Sequence, residues 1–213
     1  AWRLLALLIY TDKWAWIHIP KTAGVNFRDR VGHQPGVTIA RERSYFHHQP
    51  LQWWLNNGTL NSSQFMFTFV RNPYARIVSL YNHIATNGNN PGLPEFKECI
   101  MTGIVDELDK NIHGQRIVNW ELWKIKEVAG FDFGLPQYKF IENDQGIDVK
   151  YYKMETELPL VEKYVGKKFT DTNMNTMPHA PWQTYYDTET QEMVNKKYKE
   201  DFKRFNYDEY LPV

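Results

Sequence analysis

The chain has 213 residues with 25 basic and 25 acidic side chains and a formal charge of zero, which suits a core of good size and argues against a general nucleic-acid binder, whose field would show as a basic excess. Its single cysteine, Cys99, excludes an intrachain disulfide and a cysteine-rich zinc site, and the apolar run Leu4 to Tyr10 falls far short of the roughly 20 residues a membrane span needs. One cysteine leans toward a reducing compartment and so toward the cytoplasm; a Golgi lumen follows instead if an anchor has been trimmed from upstream of Ala1, and there Asn57-Gly58-Thr59 and Asn61-Ser62-Ser63 would fit the glycosylation pattern.

Trp14 to Ile19 is apolar and aromatic and gives way abruptly to Pro20, Lys21, Thr22, Ala23 and Gly24, the pattern of a buried strand ending in a tight loop. Val25 to Val31 then reads as a short helix closed by Gly32, followed by a polar, proline-containing connection through Ala40. Pro50 suits the first turn of the next helix and Asn56-Asn57-Gly58 its end, which places His47 and His48 just ahead of it. Gln64 to Val70 is apolar on both alternating faces, as expected of a strand covered on both sides in a parallel sheet. It ends at Arg71, with Asn72 placed as N-cap and Pro73 as first residue of a helix whose Ile77, Leu80, Tyr81 and Ile84 recur at helical spacing until Asn87–Gly92.

Pro94 to Met101 reads as another helix. Thr102 to Pro136 carries Trp120 and Trp123 in a helix, with breaks at Gly114, Gly130 and Gly134, and reads as a lid or acceptor-binding region. Tyr138 to Ile141 and Val149 to Met154 are expected as two short strands around a turn, and Leu158 to Val165 as a helix. After a polar loop from Thr172 to Trp182, Thr188 with Gln191 is a candidate capping box for a final helix striped by Val194, Tyr198 and Phe202 and ending near Asn206. With no internal repeat or linker, residues 1–213 read as a single α/β domain, a central parallel sheet flanked by helices.

The loop after the first strand is where chemistry is expected. A lysine, a hydroxyl residue and a small flexible segment offer an ammonium, an O–H and backbone N–H groups, which together grip an anionic oxygen cluster at a helix N-terminus. Phosphate or sulfate is the indicated ligand. The order differs from the nucleotide loop Gly-x-x-x-x-Gly-Lys-Ser/Thr, whose glycines precede the lysine. Taken alone, Lys21 and Thr22 also fit an ordinary solvated strand-to-helix turn.

His18 to Phe27, HIPKTAGVNF, resembles the 5′-phosphosulfate loop of the sulfotransferases, in the branch that holds carbohydrate O-sulfotransferases and their bacterial and viral relatives. Phe67 to His83, FTFVRNPYARIVSLYNH, resembles the segment in which the same family holds the donor's 3′-phosphate with a strand-end arginine and a helical serine, here Arg71 and Ser79. Tyr185-Tyr186-Asp187 and Asp201 to Tyr207 are similar to the family's ending. The resemblance implies a P-loop-like sulfotransferase fold, 3′-phosphoadenosine 5′-phosphosulfate as donor, 3′-phosphoadenosine 5′-phosphate as product, and no required metal. It implies that Lys21, Thr22, Ala23, Gly24 and Asn26 hold the phosphosulfate and that Lys21 stabilises charge on the bridging oxygen. Asn175-Thr176 falls where the family's nucleotide-closing loop often reads Asn-Lys-Ser, with Thr176 in place of the lysine. His48, ahead of Trp54, matches the base-bearing segment, with His47 as rival; His18 is assigned to packing or hydrogen bonding and Glu155 to structure.

The implied partner is a hydroxyl-bearing acceptor, a glycan or a small molecule, with no nucleic acid and no membrane span in this chain. Two other classes stay open from the residues themselves. One is a P-loop-like kinase or NTPase, separable by preference for ATP with Mg²⁺; the other is a non-catalytic nucleotide- or glycan-binding module, separable by donor binding without turnover.

Overall fold

Phe65 to Val70 sets the architecture, because six residues whose only polar side chain is Thr68 must be covered on both faces. A computed structural model describes residues 8–40, 49–87, 95–101, 135–171 and 179–209. In chain order its elements are β1 (Leu8–Tyr10), β2 (Trp14–Ile17), α1 (Gly24–Val31), β3 (Thr38–Ala40), α2 (Leu51–Asn56), β4 (Phe65–Val70), α3 (Pro73–Asn87), α4 (Phe96–Met101), β5 (Lys150–Lys153), α5 (Leu158–Val165), α6 (Thr188–Lys197) and α7 (Lys199–Phe205), with 3-10 turns at Gln137–Phe140 and Trp182–Tyr185. The chain divides into two units, one within residues 1–71 and 137–176, the other within 72–136 and 177–213.

Among the described residues the first unit holds a five-stranded sheet, in the order β3-β1-β2-β4-β5. Its middle is parallel: β2 pairs with β4 from Trp14↔Phe65 to Ile17↔Thr68, and β4 with β5 from Phe67↔Lys150 to Val70↔Lys153. Only β1 runs against its neighbours, so the sheet is mixed around a parallel core. Alternation sorts the side chains. Trp16, Phe67 and Phe69 join Phe27 and Val31 of α1 and Phe169 in one cluster, while Ala15, Ile17 and Met66 join Leu51, Trp54 and Leu55 of α2 in another. Burying such an aromatic contributes about 1.5–3 kcal/mol.

Glu162 of α5 ties the chain after that helix back onto the aromatic cluster. Its Oε1 accepts from the backbone N–H groups of Phe169 and Thr170 and from the Thr170 hydroxyl, each at 2.7 Å. Phe169, so held, packs edge-on to Phe27 at 5.1 Å and stacks on Phe69 at 5.7 Å. Partial burial pushes the Glu162 carboxyl upward, but the bonds from Thr170 and Phe169 and the charge of Lys168 outweigh it, and the net shift is below the usual glutamate value. Glu162→Gln is expected to cost about 1–2 kcal/mol at pH 7 by chemical denaturation. Since the folded value lies below the unfolded one, this contribution is full above the ordinary glutamate range and disappears as pH falls through the lowered value, so the two proteins should converge in stability on acidification below the ordinary glutamate range.

In the second unit Asn72 caps α3, its Oδ1 accepting from Tyr74 N at 3.0 Å, with Pro73 as first helical residue. α3, α4, α6 and α7 close over Tyr74, Ile77, Val78, Leu80, Phe96, Cys99, Val194, Tyr198 and Phe202. Burial pushes the Cys99 thiol up to about 12, which marks it as packing rather than reactive. Among the described residues no helix is long and apolar enough to cross a membrane.

Several local expectations are corrected. Residues 137–140 form a 3-10 turn rather than a strand, because Gln137 and Phe140, three apart, are the buried pair, not the alternating Tyr138 and Phe140. The capping box is one residue earlier than Thr188–Gln191: Asp187 Oδ1 accepts from Thr190 N and Thr190 Oγ1 accepts from Asp187 N, both at 3.0 Å, a carboxylate being the better acceptor. The final helix is two, broken at Tyr198, although Val194, Tyr198 and Phe202 are all buried as the stripe requires. β1 and β3, three residues each, lie in stretches read as an apolar run and a connection. Both Asn-x-Ser/Thr tripeptides are exposed turns in which Asn57 and Asn61 accept from the N–H groups of Thr59 and Ser63 at 3.0 Å.

Candidate functional site

β2 and β4 are adjacent and parallel, and β4 runs on to Val70, two residues past the position opposite the end of β2. Thr68, opposite Ile17, donates its hydroxyl to the Ile17 carbonyl at 2.7 Å, so β2 is pinned where it stops. The loops leaving the carboxyl ends of neighbouring parallel strands are where α/β folds bind ligands. Here those loops carry Lys21 and Arg71.

The turn from β2 into α1 is held in a demanding shape. Lys21 and Ala23 both adopt left-handed backbone, each at φ 67°, without being glycine. Such residues cost about 1–2 kcal/mol apiece and persist where surrounding structure enforces them. Thr22 supplies part of that enforcement: fully buried, it donates its hydroxyl to the Ile19 carbonyl at 2.7 Å. That proton is committed inside the loop, so toward a ligand Thr22 can offer its backbone N–H.

Gly24 lets the helix start approach the end of β2 closely. A Cβ built there would lie 1.9 Å from His18 Nε2 and 2.5 Å from its Cε1. His18 cannot retreat easily, since it is 5% exposed and stacked on the buried Trp16 at 4.7 Å. The imidazole therefore lies against the bare α-carbon where α1 begins.

The N-terminus of α1 has Ala23 as N-cap, no side-chain cap and no acidic residue in its first turn. The first-turn N–H groups of an α-helix have no intrahelical partner, and together with the helix dipole they favour an anion. Asn26 stands in that turn. Lys21 precedes it, and among the described residues its ammonium makes no ion pair. Burial, and then the positive charge of Arg71, bring Lys21 down to about 8. The Arg71 guanidinium donates to the Lys21 carbonyl at 3.4 Å, which places the second cation at the same loop. Two cations held near each other beside an uncapped helix start are complementary to a ligand that carries more than one anionic group.

The backbone of Arg71 is fixed from elsewhere in the unit. Gln137, fully buried, accepts from Arg71 N at 2.9 Å through Oε1 and donates from Nε2 to the Arg71 carbonyl at 2.8 Å. Sequence reading missed Gln137, and nothing local signals it, since the partners lie 66 positions apart. The structure thus brings together Lys21, Thr22, Ala23, Gly24, Asn26 and Arg71. Ser79 is half-buried on α3 in the second unit. His47, His48, Asn175, Thr176, Trp120 and Trp123 lie outside the described residues. The described chain resumes at Gln49, whose carbonyl accepts from the buried Trp54 indole at 3.2 Å.

A family model described as "Sulfotransferase family" matches residues 9–117, just over half of the chain and spanning both Lys21 and Arg71. No curated protein and no solved structure matches the chain.

Proposed function

The chain belongs to the sulfotransferase family, and from that premise we propose that it transfers a sulfuryl group from 3′-phosphoadenosine 5′-phosphosulfate to a hydroxyl group of a carbohydrate. The observation that supports this donor most is the pairing of Lys21 with Arg71 beside the uncapped start of α1. The donor, when bound, supplies an activated sulfuryl group on a phosphate leaving group.

The first-turn N–H groups of α1 and the Asn26 amide hold the 5′ oxygens, and the close approach of His18 to Gly24 keeps that backbone in place. Lys21, cationic at neutral pH, stabilises negative charge that builds on the departing phosphate oxygen. The planar fork of Arg71 takes the 3′-phosphate through charge-assisted bonds. His48 accepts the proton of the attacking hydroxyl, a task suited to an imidazole with an ordinary pKa near 6.5. The carbohydrate acceptor rests on the likeness of His18–Phe27 to the carbohydrate branch of the family.

The test is calorimetric binding of 3′-phosphoadenosine 5′-phosphate against ATP with Mg²⁺, joined to turnover on an oligosaccharide panel. The wild type should select the bisphosphate, and Arg71→Ala should weaken it by tenfold or more, on the order of one charge-assisted contact. His48→Ala should keep bisphosphate binding and lose about 10²- to 10⁴-fold in turnover. Preference for ATP with Mg²⁺ would replace this reading by a kinase or NTPase, and wild-type turnover in His48→Ala would pass the role of base to His47.

A further inference from the structure

Val70 is the last residue of β4: it lies opposite Lys153 of β5, and its carbonyl accepts from Met154 N at 2.7 Å. Arg71 has stepped off the strand, where its N–H and C=O would be left without sheet partners. Gln137 meets both with one planar amide, at 2.9 and 2.8 Å. The side chain imitates the edge of another strand for a single residue. A fully buried amide is tolerated only when its donor and acceptor are both satisfied, and no other residue type at 137 gives this pair: asparagine is a carbon shorter, glutamate lacks the donor, and methionine lacks both. The opposite end of the 3-10 turn is anchored by the fully buried Phe140, so the amide is carried on a fixed base.

We infer that Gln137 is a positioning residue for donor recognition: by clamping the Arg71 main chain it sets the direction in which the guanidinium leaves the sheet, and so the selectivity for a nucleotide carrying a 3′-phosphate. This rests on the reading of Arg71 as the 3′-phosphate ligand. Fixing the backbone leaves only the side-chain torsions of Arg71 to be ordered between sheet and guanidinium, which lowers the ordering cost of a bidentate phosphate contact. The 5′ side of the nucleotide, held by the α1 start and Lys21, is reached by the clamp only indirectly, through the 3.4 Å bond from the Arg71 guanidinium to the Lys21 carbonyl, and is the less affected side. The signature of Gln137 is therefore a ratio of affinities rather than a general loss.

The experiment measures affinity for 3′-phosphoadenosine 5′-phosphate and for adenosine 5′-monophosphate in the wild type, Arg71→Ala, Gln137→Met and Gln137→Glu. Gln137→Met is expected to lower the bisphosphate preference about tenfold, the size of one lost contact to a charged ligand, with monophosphate affinity within about threefold of wild type. Gln137→Glu keeps the shape and one bond but sets two acceptors face to face, so near pH 8 its preference should fall. Near pH 5 a protonated Glu at 137 donates as the amide did, and the preference should recover relative to wild type at the same pH.

If bisphosphate and monophosphate affinities fall together in Gln137→Met, or Gln137→Glu keeps the wild-type ratio at both pH values, the inference is overturned and Gln137 is a packing residue. Should Gln137→Met not fold, the pH comparison on Gln137→Glu decides alone. A wild type that shows no bisphosphate preference, or an Arg71→Ala that retains it, removes the 3′-phosphate role of Arg71 instead, a different result from the loss of the clamp.

Discussion

Replacing Lys21 by methionine should reduce turnover by about 10²- to 10³-fold, the loss seen when one preorganised donor to a developing charge is removed, while leaving the unliganded protein more stable at pH 7. The two effects have one cause. Burial and Arg71 hold the Lys21 ammonium down to about 8, against an ordinary 10.5. Below pH 8 both folded and unfolded chains carry the proton, and the folded state bears the full cost of a charged amine at that loop. Between 8 and 10.5 the unfolded chain binds more protons, so wild-type stability rises with pH and the advantage of Lys21→Met shrinks. Above the unfolded value it is gone. Chemical denaturation at pH 7, 9 and 11 reads this directly.

Activity moves in the opposite sense. Donor affinity of the wild type should decline as pH climbs through about 8 and the ammonium is lost. Lys21→Arg, which cannot deprotonate in that range, should flatten this alkaline limb. A Lys21→Met variant less stable than wild type at pH 7, or a wild type whose donor affinity is level to pH 10, would show that Lys21 is not the strained cation described.

The second large effect is expected at Gly24. Gly24→Ala places a methyl 1.9 Å from His18 Nε2, and the ring it strikes is wedged against the fully buried Trp16. Either the start of α1 shifts or the imidazole leaves the indole. Overpacking of this kind costs about 3 kcal/mol, roughly 6–12 °C in Tm for a chain of this length, and moves the N–H groups proposed to hold the 5′ oxygens. His18→Ala is destabilising by itself through the lost stacking. In the Gly24→Ala background it should restore part of the stability, because the partner of the clash has gone. The double-mutant cycle then shows strong favourable coupling. Simple addition of the two losses in thermal denaturation would mean that the ring and α1 do not press on each other.

How much of this the sequence revealed depends on the range of the interactions involved. β2, α1, β4 and α3 were legible because their signals are local: an aromatic run ending in Pro20-Lys21, an apolar run on both faces from Phe65, and Asn72-Pro73 as cap and first turn. Lys21 and Arg71 could be singled out by type and position. That they come together at one loop follows from the parallel register Ile17↔Thr68, which no local pattern specifies. β1 and β3 escaped because three residues show no period, and β1 owes its strand form to pairing on both edges. Tyr138–Phe140 imitated a strand by alternation, while the buried Gln137 turned the segment into a 3-10 turn. Asp187 was overlooked as a cap because Thr188 beside it fits the same pattern one residue out of step.

Lys21 and Ala23 hold left-handed backbone without the ease of glycine. Exchanging either for glycine would relax the folded turn by a modest amount and at the same time multiply the shapes it samples before any ligand arrives. Recognition would then begin from a crowd of wrong outlines, with the ordering left to be done at the moment of encounter. As it stands, the turn carries a small standing tension and would meet the proposed anion as a mould already set.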